Sequence, residues 1–300
     1  MLWYENLQCD KIYNNLDELF SINQNLKTDE AIIFFVNFDN GFGSNLTVII
    51  QNALFLKQIN PKLHCLGHFS NNKLNFKYHE ETCINSFFLY FNYLKSIPES
   101  TNYYFVRLDV LSNYPFIKSQ NIDGENVDSI QINKVYSNFF KEQFQIKIGE
   151  HIIEKINVIK NQTKVPLIGV HIRSFAQIFS QNPHNVDTIE IRLQKLKTVF
   201  DSKYKIYNVF LATDVEEYIQ IAKKIFNGTN TNVYYNDFVN RIESHGNGKD
   251  GFLNGYNDSV INLEQYKGFK LGSDIIYDCL SLISCDYYYV SVTNIAFITS

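Results

Sequence analysis

Short, unbroken apolar runs alternate with longer stretches that carry one apolar face, and this alternation organises the whole chain. Residues 31–37 (AIIFFVN) form an apolar run with no internal breaker, which predicts a strand buried on both faces. The turn from Asp39 through Gly41 and Gly43 to Asn45 then opens residues 46–58 (LTVIIQNALFLKQ). There Leu46, Ile49, Ile50, Ala53, Leu54 and Lys57 have the spacing of a helix with one apolar face. Residues 62–66 and 103–108 (YYFVRL) read as further strands, with the Asn- and Lys-rich stretch 70–77 as a loop between them. Helices are predicted over 134–144 and 149–158, closed by a polar turn at 161–166 (NQTKVP). Beyond Pro166 the pattern is cleaner: strands at 167–172 (LIGVHI), 205–213 (KIYNVFLAT) and 231–235, helices at 187–200 and 215–226, a long glycine-rich loop at 241–257, a helix at 272–285 and a last strand at 287–292.

Strands that alternate with helices of ten to fifteen residues predict an α/β fold of mainly parallel sheets covered on both faces. With a boundary between residues 150 and 166, we expect two Rossmann-like halves, 1–155 and 156–300. Composition narrows the function classes. The chain has 300 residues, 45% hydrophobic and 19% charged, and this excludes general disorder. A net charge of −4 supplies no diffuse positive field for nucleic acid, so an anionic partner must be held by a local site. Cys9, Cys65, Cys83, Cys279 and Cys285 are scattered without a paired spacing, which favours a reducing, cytoplasmic setting. No apolar run reaches membrane-spanning length, and residues 1–10 lack the pattern of a signal peptide.

In open parallel sheets ligands gather beyond the carboxyl ends of the strands, so the residues after each strand are the ones to weigh. The strand at 167–172 leads into Gly169-Val-His171-Ile-Arg173-Ser174, and period-two alternation sets His171 and Arg173 on one side. An arginine fork can take two oxygens of a phosphate at once. By itself, H-x-R reads first as a solvent-facing strand-end arginine beside a packed histidine. The next strand ends in Thr213-Asp214, where Asp214 either contacts a nucleotide laid over the strand ends or caps the following helix. After the last strand, Ser291, Thr293 and Asn294 can offer backbone N–H groups to a diphosphate.

The order and spacing of these pieces resemble the superfamily of GDP-fucose-dependent α1,2-, α1,6- and protein O-fucosyltransferases. The matching parts are the glycine turn Gly41-Phe-Gly43-Ser-Asn45-Leu46, the H-x-R of His171 and Arg173, the Thr213-Asp214 pair, and a final block that runs Gly272-Ser-Asp274-Ile-Ile-Tyr-Asp278 to Ile283-Ser284-Cys285-Asp286 and on to Val290-Ser291. Together they span most of the chain. The resemblance implies a GT-B architecture, two Rossmann-like domains facing a cleft, with the nucleotide held mainly by the C-terminal one. It implies that Arg173 contacts the donor diphosphate and that His171 shapes the nucleotide pocket. Asp214, Ser291, Thr293 and Asn294 would surround the base, ribose and phosphates, and the turn of Gly41, Gly43 and Asn45 would face the same ligand. Where many members carry a second basic residue after the arginine, this chain has Ser174, a departure from the α1,6 type. Arg241, in the glycine-rich loop, is either a replacement cation or a solvated loop charge.

The implied function is a metal-independent, inverting transfer of fucose or a related deoxysugar from a GDP-sugar to a saccharide acceptor, in bacterial surface polysaccharide synthesis. No metal or other cofactor is expected, since the D-x-D motif of metal-using glycosyltransferases is missing from the sequence. Arg173 would stabilise the leaving diphosphate, with Arg241 and the N–H groups of Gly43 and Asn294. Asp39 is the best-placed base unless it only forms the turn; His64, His68, Glu80 and Glu81 are alternatives. Asp278, inside a helix, and Asp286, at its end, are not expected to be catalytic. The expected partners are the nucleotide-sugar donor and the saccharide acceptor, with no nucleic acid, and a peripheral position at the inner face of the membrane is compatible with them. Two rival readings stay open: transfer of another nucleotide-activated group, such as a heptosyl or phosphoryl-type capsule decoration, and a catalytically silent nucleotide-sugar-binding domain. The family's closing helix has no counterpart before Ser300, so it is dispensable or the sequence is a piece of a longer protein.

Overall fold

A computed structural model describes residues 2–36, 42–69, 85–107, 137–172, 188–226, 231–241 and 269–290. The first half contains β1 (Ile12–Tyr13), α1 (Leu16–Ile22), β2 (Ala31–Val36), α2 (Phe42–Ile59), β3 (His64–His68), α3 (Phe87–Tyr90), β4 (Phe91–Tyr93), β5 (Asn102–Arg107), α4 (137–143) and β6 (Phe144–Ile146). The second contains α5 (Glu150–Thr163), β7 (Leu167–Ile172), α6 (Ile189–Lys203), β8 (Asn208–Thr213), α7 (Glu216–Phe226), β9 (Val233–Tyr234), α8 (Phe269–Ser284) and β10 (Tyr287–Val290). Two parallel sheets result, ordered β1-β5-β2-β3 and β10-β7-β8-β9, and β4 pairs with β6 in an antiparallel ribbon. No described helix is long and apolar enough to cross a membrane.

Every residue of β2 and of β8 is buried, as expected for inner strands of a sheet covered on both faces. The one amide in β8, Asn208, is buried and satisfied: its Oδ1 accepts the Asn232 N–H at 2.9 Å. Helix α2 starts at Phe42, earlier than expected, and buries Leu46, Ile49, Ile50, Ala53 and Leu56. Leu56 completes the stripe that the sequence pattern assigned to Leu54, which is only partly buried.

Two expectations are corrected. The helix placed over 134–144 occupies 137–143 among the described residues, because Phe144 turns into β6 and pairs with Tyr93. The turn expected at 161–166 begins later, since α5 continues to Thr163. It stops at Lys164, whose backbone is left-handed (φ 52°) and whose N–H bonds to the Lys160 carbonyl at 2.9 Å. Pro166, two residues on, disfavours helical backbone at Val165. Asp286 lies at the end of the last helix, as expected, and there it also serves β7: its Oδ2 accepts the Leu167 N–H at 2.9 Å and its Oδ1 pairs with Lys160 Nζ at 2.7 Å. The loop at 70–77 lies outside the described residues.

Helix α8 is the common support. It packs on α5, β7 and β8 within the second half and reaches α3 of the first. Gly149, the N-cap of α5, has φ +94°, and a Cβ there would lie 2.4 Å from Leu280 of α8. Toward the first half, Gly272 lies against Tyr90. A Cβ on Gly272 would come within 2.4 Å of the Tyr90 hydroxyl oxygen and 2.5 Å of the ring. Tyr90 has no room to swing: it is fully buried, stacks at a tilt on Phe269 with centroids 5.1 Å apart, and donates its hydroxyl to the Phe269 carbonyl at 3.3 Å. One apolar core runs through this contact and joins the layers around both sheets.

Alanine in a helix interior ordinarily gains up to ~1 kcal/mol over glycine. Gly272→Ala should do the opposite, lowering stability by about 1–3 kcal/mol through overpacking against Tyr90. Urea denaturation of the two proteins checks the sign, and a stabilised variant would refute this account of the contact.

Candidate functional site

The carboxyl ends of the second sheet bring together residues far apart in sequence. In register, Val290 of β10 lies beside His171 of β7, His171 beside Ala212 of β8, and Ile172 beside Thr213. His171, partly buried, thus sits at the same sheet edge as Thr213 and Asp214. The Thr213 hydroxyl accepts the Val215 N–H at 3.3 Å, which turns the chain from β8 into α7.

Arg241 arrives at this edge from the segment after β9, and it is not a solvated loop charge. Its Nε donates to the Thr213 carbonyl at 3.1 Å and its Nη1 to the Val239 carbonyl at 2.9 Å, while the guanidinium lies 5.4 Å from the centre of the Tyr235 ring. Nη2 is buried and has no hydrogen-bond partner among the described residues. The fork is therefore rigidly held by two backbone carbonyls and a ring, with its charge uncancelled by those partners and one N–H₂ group unused by them.

An acidic wall faces it. Asp278 of α8 accepts a hydrogen bond from Asn236 Nδ2 at 3.0 Å, and Asn236 is wholly buried. Burial pushes the Asp278 carboxyl up to about 7, opposed by the nearby Arg241 charge and the Asn236 hydrogen bond and reinforced by Asp274 and Asp214. Asp274, one turn earlier and also buried, accepts the Asn240 N–H at 3.0 Å and pairs with Lys270. Residues 236–241 are thus latched onto α8 at two carboxylates, and the latch carries Arg241 to the end of β8.

Other expected residues separate into groups. Asn45 is buried in the first turn of α2, and the backbone of Gly43 belongs to the same turn, which follows the carboxyl end of β2. Arg173, Asp39, Gly41, Ser291, Thr293 and Asn294 lie outside the described residues, as do Ser174, Glu80 and Glu81. His64 starts β3, at the sheet edge opposite the strand carboxyl ends. It is bound by the Tyr93 hydroxyl at 3.0 Å and the Glu30 carboxylate at 2.8 Å, and burial holds its imidazole below the ordinary value. His68 ends β3 but is buried edge-on against Phe34 and Phe105. Neither is placed as an exposed base. Among the described residues, no group of three or more His, Cys, Asp or Glu side chains is arranged to hold a metal ion.

The sequence pattern did not single out Asn236, and it set Asp278 aside because it lies within a helix. The signal that was present is the i, i+4 spacing of Asp274 and Asp278, which sets two carboxylates on one face of a helix otherwise rich in apolar residues.

No protein-family model matches the chain, and no curated protein matches it. Among solved structures, it is similar to the α-1,6-fucosyltransferase NodZ from Bradyrhizobium, at 13% identity and a TM-score of 0.45, covering 90% of this chain and 92% of that one. The same enzyme soaked with GDP-fucose gives 13% identity and a TM-score of 0.46, and co-crystallised with GDP it gives 12% and 0.47, with the same coverage.

The raised Asp278 midpoint has a definite sign. Between the ordinary carboxyl value of 3.8 and about 7, the folded state holds the proton more tightly than the unfolded state, so stability falls as pH rises through that window and stays lower above it. Asp278→Asn cannot ionise. Its melting temperature relative to wild type should rise steadily from pH 4 to pH 7.5, becoming higher than wild type above pH 7. Thermal melts across that range check this; a constant difference between the two proteins would contradict it.

Proposed function

We propose that this chain transfers fucose or a related deoxysugar from a GDP-sugar to a saccharide acceptor, with inversion and without a metal ion, in the cytoplasmic synthesis of a bacterial surface polysaccharide. The observation that carries the reading is Arg241, a preorganised guanidinium at the carboxyl end of a parallel strand, whose Nη2 has no hydrogen-bond partner among the described residues. That is where α/β sheets bind nucleotides, and it is the loop position at which the sequence resemblance called for a donor-binding cation.

The chemistry follows from charge. As the glycosidic bond to the diphosphate breaks, negative charge grows on the leaving oxygens and the sugar becomes oxocarbenium-like. Fixed cations and N–H groups stabilise that charge without reorganising. Arg173 is joined directly to Ile172, whose strand partner Thr213 holds Arg241 through its carbonyl, and this connectivity supports a pair of arginines on one diphosphate. Asp278 and Asp214 supply acceptors for the N–H and O–H groups of a base or ribose. His171 would border that pocket, with Ser291, Thr293 and Asn294 beyond β10. On the other side, the first turn of α2 offers the N–H groups of a helix start to the donor, with Gly41, Gly43 and Asn45 in or beside it. The acceptor would approach from the first half, residues 1–155, across a cleft from residues 156–300, with Asp39 taking the proton of its hydroxyl.

Isothermal titration of the full chain with GDP should show binding that weakens at least tenfold in Arg173→Ala and in Arg241→Ala. Arg241→Lys should not restore it, because an ammonium cannot reproduce the fork held by Thr213 and Val239. With GDP-fucose and an acceptor, loss of either arginine should slow turnover by roughly a hundred- to a thousandfold, and the mass increment of the product identifies the group moved. A folded wild-type protein that binds no nucleoside diphosphate overturns the reading; tight binding without transfer over a broad acceptor panel leaves a nucleotide-sugar-binding domain in its place.

A further inference from the structure

Asn236 is wholly buried, and its side chain is committed on one side only. Its Nδ2 donates both hydrogens, one to Asp278 Oδ1 and one to Ser281 Oγ, each at 3.0 Å. The chemistry of the partners settles which end of the amide is which. The Ser281 hydroxyl already donates to the Tyr277 carbonyl at 2.9 Å, so its remaining capacity toward Asn236 is as an acceptor, and the same Nδ2 that it accepts from faces Asp278 Oδ1. The amide oxygen is left buried with no hydrogen-bond partner among the described residues. The second oxygen of Asp278 likewise has no hydrogen-bond partner among them.

This arrangement is not alone in holding α8 in place, since Ile276, Leu280 and Leu282 are buried on the same helix. Its specific effect falls on Asp278. Of the charged groups around that carboxylate, Arg241 from the segment after β9 favours its ionised form, while Asp214 at the end of β8 and Asp274 on α8 itself, the latter paired with Lys270, oppose it. Burial outweighs these charges and keeps the carboxyl raised; Asn236 is the neutral donor that works with Arg241 against it, along one direction, toward Oδ1.

We infer that Asn236 is the positioning residue of the nucleotide site: anchored on Ser281, its amide fixes the Asp278 carboxylate so that one oxygen stays with the protein and the other is presented to a donor group of the ligand's base or ribose. The inference rests on the reading of this edge as a GDP-sugar site.

Carbon-13 NMR titration of side-chain carboxyls in the ligand-free full chain, with Asp278 assigned by its loss in Asp278→Asn, tests the protein half. In Asn236→Ala the Asp278 midpoint should rise by about one pH unit, the loss expected for one hydrogen bond to a charged group. GDP titration at pH 8 tests the ligand half. Asn236→Ala should weaken binding about tenfold in the wild-type background and less than twofold in Asp278→Asn, because the first residue acts through the second. An unmoved Asp278 midpoint beside normal wild-type GDP binding overturns the inference alone, as does an equal loss of GDP affinity in both backgrounds. Absence of GDP binding by the wild type overturns the reading of the site instead. Should Asn236→Ala fail to fold, Ser281→Ala removes only the anchor; the midpoint should then move in the same direction by a smaller amount, and no movement overturns the proposal.

Discussion

Helix α8 touches its neighbours on three sides at contacts too tight to slide, and the positions of Asp274, Asp278 and Arg241 at the candidate site are inherited from it. Gly272 meets Tyr90 of the first half, Leu280 meets Gly149 at the start of α5, and Leu282 and Cys285 press on Gly169 in β7. With the helix held at these points, its polar face can aim only one way. Asp274, Asp278 and Ser281 meet residues 236–241, and that segment in turn delivers Arg241 to the end of β8. A small residue at position 272 therefore bears on the electrostatics of the turns that follow it, through rigid packing alone.

The charges at this edge are balanced in an unusual way. Arg241 is held by carbonyl oxygens and a tyrosine ring, partners that orient a guanidinium without neutralising it. Asp278 is stabilised by a neutral amide, with the arginine close enough to act on it through space. Cation and anion are each fixed by groups other than the other. A closed ion pair would spend both charges internally; here both remain able to act on something else, in a molecule whose net charge of −4 offers no general attraction to an anion.

Legibility in the sequence followed burial. The strands β2, β7 and β8 were readable because a strand covered on both faces is a continuous apolar run, and α2 and α7 because one face alternates with solvent. The short elements β1, β4 and β6 were not, since two or three residues within a wider aromatic stretch carry no period. Helix α1 did leave a signal, Asn15 and Glu18 at capping-box spacing. In the structure the Asn15 side chain accepts the Glu18 N–H at 2.8 Å, and Glu18 reaches back to Asn14. At the site, Arg241 was flagged by its place in a motif order. Asn236 had no local signature: its partners lie 42 and 45 residues away, and only the fold makes them neighbours.

The clamp of Asp286 on Lys160 and Leu167 has a consequence in time as well as in space. Leu167 and Asp286 are 119 residues apart, and the strand that follows Asp286, β10, covers one side of β7. As the chain emerges from the ribosome, β8 can pair with β7 on its other side soon after synthesis, whereas the β10 side waits for more than a hundred further residues. A half-built parallel sheet with one open, largely apolar strand is the kind of intermediate that associates with others of its kind. A brake on translation in that interval, or a chaperone that covers β7 during it, would govern how much of the protein reaches the folded state.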